Sequence, residues 1–184
     1  MFPGRELDAS EVTEWLNNLE HAAPLVVYMG GREASVWARK AIRQADMVVF
    51  ACRGDAPADA LTEIEAFACE VHPASARRLV RIHDRRRGEV SGTAAWLKRL
   101  PCFMHQQVAL EDQADIESLI RFLSGRSIGF VAAGGGSLGT AHVGIYQAFR
   151  ERGAVFDIFV GTSVGSAMAA GFAKNLEAEH LERG

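Results

Sequence analysis

The feature that most constrains the fold of this chain is a five-residue segment between an apolar run and a helix-compatible sequence. Residues 161–165 read Gly-Thr-Ser-Val-Gly, follow the apolar residues 156–160 and have the form G-x-S-x-G. A strand that turns sharply into a helix needs small residues, because its backbone passes close to itself. The pattern predicts such a turn with the hydroxyl of Ser163 exposed at its tip. An ordinary turn in which Ser163 caps the helix is the alternative.

A second glycine-rich segment lies upstream, at residues 134–139 (GGGSLG), between an apolar run and a predicted helix. In that helix Val143, Tyr146 and Phe149 recur every three residues and form one apolar face. Unpaired N–H groups and the positive end of the helix dipole favour negative charge at such a loop. The loop therefore suits a dinucleotide pyrophosphate, a phosphate ester or the oxyanion of an acyl-transfer intermediate.

Both nucleotide interpretations of the loop at residues 134–139 lack a residue that their chemistry needs. A dinucleotide site needs an acidic residue at the end of the next strand, but this chain has Ser163 there and Asp157 at the strand's start. A P-loop closes with Gly-Lys-Ser/Thr, whereas Thr140 directly follows the last glycine here. Acyl transfer needs a donor loop and a serine on adjacent strand–helix units, and both are present. A nucleotide-binding module stays an alternative.

Residues 133–144 and 156–166 together resemble the patatin-like phospholipase family, and most closely its neuropathy-target-esterase branch. The resemblance extends upstream, into the segment that precedes the lipase domain in that branch. The similar upstream stretches are residues 41–49, 78–83, 92–97 and 123–129. In all, the resemblance runs from about residue 40 to about residue 172.

The resemblance implies that Ser163 is the nucleophile of a serine–aspartate dyad. It also implies that backbone amides around Gly135 and Gly136 form the oxyanion hole. The two glycine motifs are completed by Gly134, Gly139, Gly161 and Gly165. Enzymes of this family hydrolyse acyl esters of phospholipids or lysophospholipids through an acyl-enzyme, which requires an activated hydroxyl and preorganised N–H donors. No cofactor and no metal is expected.

This chain departs from the family pattern in two respects that bear on whether it is catalytically active. The family usually has a basic residue where this chain has Leu138, in the oxyanion loop. The family's dyad aspartate lies in an Asp-Gly motif far downstream of the serine, and no aspartate of this chain is followed by glycine. We therefore expect an incomplete member that carries the nucleophile without its base and is inactive alone. A catalytically degenerate member that only binds lipid or a partner is a further alternative.

One histidine, His142, invites a catalytic interpretation because it follows the glycine loop. Its position in the first turns of a helix favours a structural role, and the resembled family has a histidine here that is not the base. Elsewhere, Cys102 and His105 form a C-x-x-H pair without the second pair that a zinc site needs.

Composition and charge exclude several classes of protein. A formal net charge of −3 gives no electrostatic case for nucleic acid. Three scattered cysteines suit a reducing cytoplasm better than a disulfide framework. The first residues do not form a signal peptide, and no run approaches the roughly 18 apolar residues that span a bilayer. We expect a cytoplasmic protein whose membrane contact is at most peripheral, with the arginines at 85–87 as its candidate contact with anionic lipid.

The remaining pattern alternates strands and helices. Strands are predicted at residues 24–29, 46–51, 78–83 and 103–110, and helices at 10–20, 33–44, 57–70, 93–100 and 111–123. This N-terminal β-α-β-α-β order predicts an α/β fold with a parallel sheet and helices on both faces. We expect a first region at residues 1–125, and at residues 126–184 the incomplete N-terminal part of a patatin-like α/β hydrolase domain.

Overall fold

The computed structural model describes residues 10–86 and 90–174, which contain seven α-helices and five strands. The chain divides into two compact units between Ile116 and Glu117. Every strand pair within the described residues is parallel, and each strand is followed by a helix. The α/β class predicted from the sequence is therefore confirmed.

The first unit contains one parallel sheet of three strands. Its strands are β1 (Val48–Arg53), β2 (Arg77–His83) and β3 (Met104–Ala109), in the order β1-β2-β3. Its helices are α1 (Ser10–Ala22), α2 (Val36–Gln44), α3 (Glu63–Val71) and α4 (Thr93–Arg99), and α5 (Gln113–Leu123) includes the division between the units. A buried cluster formed by Phe50, Ala68, Leu79, Trp96 and Leu100 makes the core of this sheet. Each large apolar side chain buried there contributes about 1.5 to 3 kcal/mol.

The first predicted strand, residues 24–29, is wrong, because this segment joins neither of the two sheets in the described residues. Val27 and Met29 are 73% and 82% exposed. Side-chain contacts anchor this segment, instead of the backbone hydrogen bonds of a sheet. The Tyr28 ring lies edge-on to the Trp37 ring, with centroids 6.1 Å apart, and Trp37 Nε1 donates to the Met29 carbonyl at 2.9 Å.

Helix caps explain why two helices begin later than predicted. Helix α3 begins at Glu63, not at residue 57, because Thr62 and Glu65 form a reciprocal capping box. Helix α2 begins at Val36, not at residue 33, because the Ser35 hydroxyl accepts from the amide of Ala38 at 3.1 Å.

The second unit is built on a two-stranded parallel sheet. Strands β4 (Gly129–Ala132) and β5 (Ile158–Gly161) pair in register, so that Ala132 lies opposite Gly161. Helices α6 (Ala141–Glu151) and α7 (Val164–Ala173) follow the strands. Aromatic rings fill the core, with Phe130 and Phe172 edge-on at 5.5 Å and Tyr146 stacked on Phe172 at 4.2 Å. This packing places the carboxyl ends of β4 and β5 side by side, where both glycine segments begin.

A buried ion pair fixes the start of β5. The Asp157 side chain is only 4% exposed and accepts from Arg121 Nη2 at 2.8 Å, from Ser118 Oγ at 2.7 Å and from the Ile128 amide at 3.0 Å. Burial alone would raise the pKa of Asp157, but the hydrogen bonds from Arg121, the Ile128 amide and Ser118 outweigh it and lower this pKa. Asp157 therefore ties α5, β4 and β5 together within the second unit.

Candidate active site

Ser163 has a backbone conformation that serine rarely adopts. Its φ is 55° and its ψ is −129°, and no other non-glycine residue has a positive φ in the part of the chain that the structure describes. Such a conformation costs about 1 to 3 kcal/mol and persists only where the surroundings enforce it. Strand β5 ends at Gly161 and α7 begins at Val164, so the chain reverses its course within two residues. Ser163 is exposed at this turn, as the G-x-S-x-G pattern predicts.

The glycines on either side of Ser163 leave no room for a side chain. A Cβ atom on Gly165 would overlap the carbonyl oxygen of Ala132, on the neighbouring strand. A Cβ atom on Gly161 would overlap the carbonyl oxygen of Gly165. The Thr162 amide donates to the Ala132 carbonyl at 3.1 Å and draws the turn against β4. The backbone contacts themselves therefore require glycine at both positions.

The loop at residues 134–139 lies against the same turn. A Cβ atom on Gly134 would be 3.2 Å from the Ser163 Cβ and 3.3 Å from the Thr162 carbonyl oxygen. A Cβ atom on Gly139 would overlap the side chain of Val164. The structure thus brings together the two glycine segments that the sequence singles out.

Gly135 and Gly136 lie at the exposed start of a short 3-10 turn, Gly136–Thr140. Amides at the start of a helical turn have no acceptor within that turn. Gly136 has a φ of 57°, and a Cβ atom there would meet nothing within 4 Å. Leu138 is 79% exposed on the same loop, and its amide donates to the Gly135 carbonyl at 3.2 Å.

His142 makes a contact that the sequence does not predict. Its ring Nε2 lies 2.9 Å from the carbonyl oxygen of Ala133, the residue directly before Gly134. No spacing rule predicts this contact, because it links the first turn of α6 with the last residue before the glycine loop.

Several arginine side chains of the first unit form ion pairs or hydrogen bonds with other residues of that unit. Arg86 pairs with Asp112 at 2.9 Å and with Asp115, and Arg85 Nε lies 3.8 Å from a Glu111 carboxylate oxygen. Arg87, the third member of the predicted lipid contact, is outside the described residues. Arg81 is 2% exposed and donates to the carbonyls of Ser91 and Gly54 and to the Thr93 hydroxyl. Two of the three candidate lipid contacts therefore already have carboxylate partners.

The three cysteines are free thiols, Cys52, Cys69 and Cys102. Burial raises the pKa of each, which makes them poor nucleophiles at neutral pH. Across residues 10–86 and 90–174, no three His, Cys, Asp or Glu side chains are grouped as a metal site would need. Over the same described ranges, no helix combines the length and apolarity needed to cross a bilayer.

Comparison with known proteins adds two family matches. Residues 5–125 match the Neuropathy Target Esterase family P-loop like domain, and residues 130–183 match the patatin-like phospholipase family. No solved structure matches the chain.

Curated relatives align along most of the chain. Lysophospholipase NTE1 of Mycosarcoma maydis is 29% identical, with 89% of this chain and 11% of the relative aligned. Patatin-like phospholipase domain-containing protein 7 of Rattus norvegicus is 28% identical, with 89% and 14% aligned. Neuropathy target esterase sws of Drosophila melanogaster is 26% identical, with 86% and 13% aligned. The chain thus spans only 11% to 14% of the length of these relatives. Together, the domain matches and the serine turn show that this chain belongs to the neuropathy target esterase family of patatin-like phospholipases.

Proposed function

We propose that this chain carries the nucleophile half of a serine acyl hydrolase that acts on phospholipids or lysophospholipids. The observation that carries the proposal is the positive φ of the exposed Ser163, which lies against Gly134, the residue directly before Gly135 and Gly136. A strained, exposed serine at a strand-to-helix turn is the arrangement that acyl hydrolases use. The names of the relatives, a lysophospholipase and patatin-like phospholipases, support the substrate class.

The proposed chemistry follows from that arrangement. The Ser163 oxygen attacks the ester carbonyl carbon, its proton passes to a base, and the carbonyl electron pair moves onto oxygen. The amides of Gly135 and Gly136 donate to this oxyanion, and each such donor is worth about 2.7 to 4 kcal/mol. The intermediate collapses by expelling the alcohol of the lipid, which leaves an acyl-enzyme that water hydrolyses.

We propose that no aspartate of this chain serves as the base for this reaction. Asp157 is the only aspartate between the glycine loop and the end of the chain. It lies before β5, at the opposite end from Ser163, and its carboxylate is engaged by Arg121, Ser118 and Ile128. We propose that the 184-residue chain does not turn over esters by itself. Robust ester hydrolysis by this chain that is abolished in Ser163→Ala would contradict the proposal that the chain lacks the base.

Two further parts of the proposal concern organisation and location. Residues 1–125 would form a region that precedes the lipase domain, and residues 126–184 would form the N-terminal part of that domain. The two family matches support this division. Any membrane contact would be peripheral, in a cytoplasmic protein that does not bind nucleic acid.

A second candidate function is lipid or partner binding without catalysis. The exposed Leu138 side chain favours it, because an apolar residue stands where the family usually has a basic one. A nucleotide site in the same loop has no comparable support, since Gly134 lies against Ser163.

A thiol in place of the serine tests the proposal without needing the missing base. Ser163→Cys places a group of pKa about 8.5 at the turn, so the nucleophilic thiolate forms at mildly alkaline pH. The thiolate attacks p-nitrophenyl acetate and expels p-nitrophenolate, which leaves a thioester. Ser75→Cys is the matched control, because Ser75 is exposed and belongs to the first unit, whereas both glycine segments belong to the second.

We expect the thiol introduced by Ser163→Cys to be acylated at least about 100-fold faster than the thiol introduced by Ser75→Cys, because one oxyanion donor is worth that much. The unsubstituted chain gives the background from the three native cysteines. With lysophosphatidylcholine as acyl donor, peptide mass spectrometry should find the acyl group on the thiol at position 163. Equal rates for the two introduced thiols would overturn the hydrolase proposal and leave the binding function.

A further inference from the structure

His142 is directed at the backbone that leads into the glycine loop. Its ring Nε2 lies 2.9 Å from the Ala133 carbonyl oxygen, and the next residue, Gly134, lies against Ser163. A carbonyl oxygen only accepts hydrogen bonds, so Nε2 must carry the proton in this contact. That nitrogen is therefore unavailable to take a proton from Ser163.

The contact fixes the orientation of one peptide plane. In a trans peptide the carbonyl and the N–H point in opposite directions, so holding the Ala133 carbonyl towards His142 turns the Gly134 N–H away from it. Gly134, Gly135 and Gly136 follow without interruption. Because glycine accepts positive and negative φ alike, this stretch has little intrinsic preference for one set of peptide orientations.

The far half of the loop has its own restraints. The Leu138 amide donates to the Gly135 carbonyl at 3.2 Å, and the Thr140 hydroxyl donates to the Ser137 carbonyl at 3.0 Å. The first bond joins Gly135, directly before the 3-10 turn, to Leu138 within it, and the second lies inside the turn. His142 restrains the entry to the loop one residue earlier, through the Ala133 carbonyl.

We propose that His142 is a positioning residue of the acyl-transfer site. Its Nε2–H holds the Ala133 carbonyl and so orients the Gly134 peptide, from which the chain runs directly to the Gly135 amide that faces the oxyanion at residue 163. The inference rests on the proposed function, because it assigns His142 to the same site. It replaces an acid–base role for His142 with a geometric one.

A matched pair of amide variants tests this on the Ser163→Cys background. His142→Gln keeps an N–H donor at nearly the reach of Nε2, whereas His142→Asn has the same chemistry on a side chain shorter by one methylene. We expect His142→Asn to slow acylation of the thiol at position 163 by p-nitrophenyl acetate about 10- to 100-fold, within the range lost with a misdirected oxyanion donor. His142→Gln should retain most of the rate.

Two readouts separate positioning from other roles. In a positioning role, the pH profile of the acylation rate follows only the ionisation of the thiol at position 163 in all three proteins. The amide resonances of Gly134, Gly135 and Gly136 should move in His142→Asn and return in His142→Gln. A general change in folding would also move resonances in the first unit, which serves as the internal control.

Each alternative result overturns the inference. Equal acylation rates in all three proteins would remove His142 from the site, while a retained advantage of Ser163→Cys over Ser75→Cys would leave the proposed function standing. Equal losses in both variants, together with the loss from the pH profile of an ionisation other than that of the thiol, would assign His142 an acid–base role instead. If Ser163→Cys shows no advantage over Ser75→Cys when His142 is intact, the proposed function itself fails.

Discussion

Two apolar runs in this chain look alike in sequence and fold differently. Residues 24–29 and residues 156–160 are each followed by glycine and then by a helix-compatible segment, and both predict a strand. The second run supplies β5, which pairs in register with β4 and ends at the serine turn. The first run joins no sheet among the described residues and leaves Val27 and Met29 exposed. Apolar content followed by glycine therefore does not by itself make a strand.

The two runs differ in what anchors them. Asp157 ties the beginning of β5 to Arg121, Ser118 and the backbone of Ile128. The first run has side-chain contacts such as the one from Trp37, and its glycines are unconstrained. A Cβ atom on Gly30 would lie 3.9 Å from the Ala38 Cβ, an ordinary contact, whereas one at residue 165 would overlap backbone. The space for a side chain at residue 30, and its absence at residue 165, distinguishes the two glycine turns.

Removing the anchor of β5 should have the largest effect. Asp157→Asn removes the buried carboxylate that Arg121, Ser118 and the Ile128 amide contact, so we expect the second unit to lose about 3 to 5 kcal/mol of unfolding free energy. All three tryptophans lie in the first unit, so the readout is taken from amides of the second unit itself. Hydrogen exchange of the β5 and α7 amides, followed by mass spectrometry, measures it.

The same variant has a pH signature. Because folding lowers the pKa of Asp157, its stabilisation is present above the unfolded value of about 3.9 and is lost as the pH falls through the folded value. The difference between the unsubstituted chain and Asp157→Asn should therefore shrink below about pH 4. Asp59→Asn, at an exposed position, is the control and should change exchange little. A difference of unchanged size at about pH 3 would show that the carboxylate charge is not the anchor.

Filling the glycine at the serine turn should have the next largest effect. Gly165→Ala forces the new methyl group against the Ala132 carbonyl, and we expect a loss of about 1 to 3 kcal/mol, as for other overpacked sites. Gly30→Ala is the matched substitution in the other run and should stay within about 0.5 kcal/mol of the parent chain. Thermal unfolding and hydrogen exchange compare the two. Equal losses would remove the distinction between the two glycine turns.

Relieving the strain at the turn should have the smallest effect, in the opposite direction. Ser163→Gly accepts a φ of 55° without a Cβ penalty, so we expect the second unit to gain about 1 kcal/mol. Ser163→Ala keeps the Cβ atom and should leave stability nearly unchanged. Slower hydrogen exchange of the α7 amides in the glycine variant alone would be the expected result. Equal exchange in both variants would mean that the turn is not strained.

Local patterns predict much of this structure because their causes are local. Strands predicted at residues 46–51 and 78–83 are found at Val48–Arg53 and Arg77–His83, since runs of apolar and β-branched residues define them. The turn at Ser163 was predictable because small residues are needed where the backbone approaches itself. The sequence Thr62-x-x-Glu65 is itself the pattern of a capping box, so the start of α3 at Glu63 also has a local cause.

The contacts that the sequence does not predict join residues that only folding brings together. Arg121 and Asp157 are 36 residues apart, and nothing in the spacing pairs them. The contact of His142 with Ala133 depends on the angle at which α6 leaves the glycine loop. The exposure of Leu25, Val27 and Met29 likewise depends on whether the segment finds a strand to pair with, not on its own composition.

The central claim is that residue 163 faces an oxyanion loop formed by Gly135 and Gly136. The most direct measurement traps a tetrahedral adduct between the thiol of Ser163→Cys and an alkyl trifluoromethyl ketone, in which the thiolate adds to the carbonyl carbon and leaves a negative oxygen. The proton NMR spectrum then reports the amides of Gly135 and Gly136. We predict downfield shifts of both when the adduct forms, because N–H groups that donate to an oxyanion are deshielded. An adduct that leaves both amide resonances unchanged would contradict the claim.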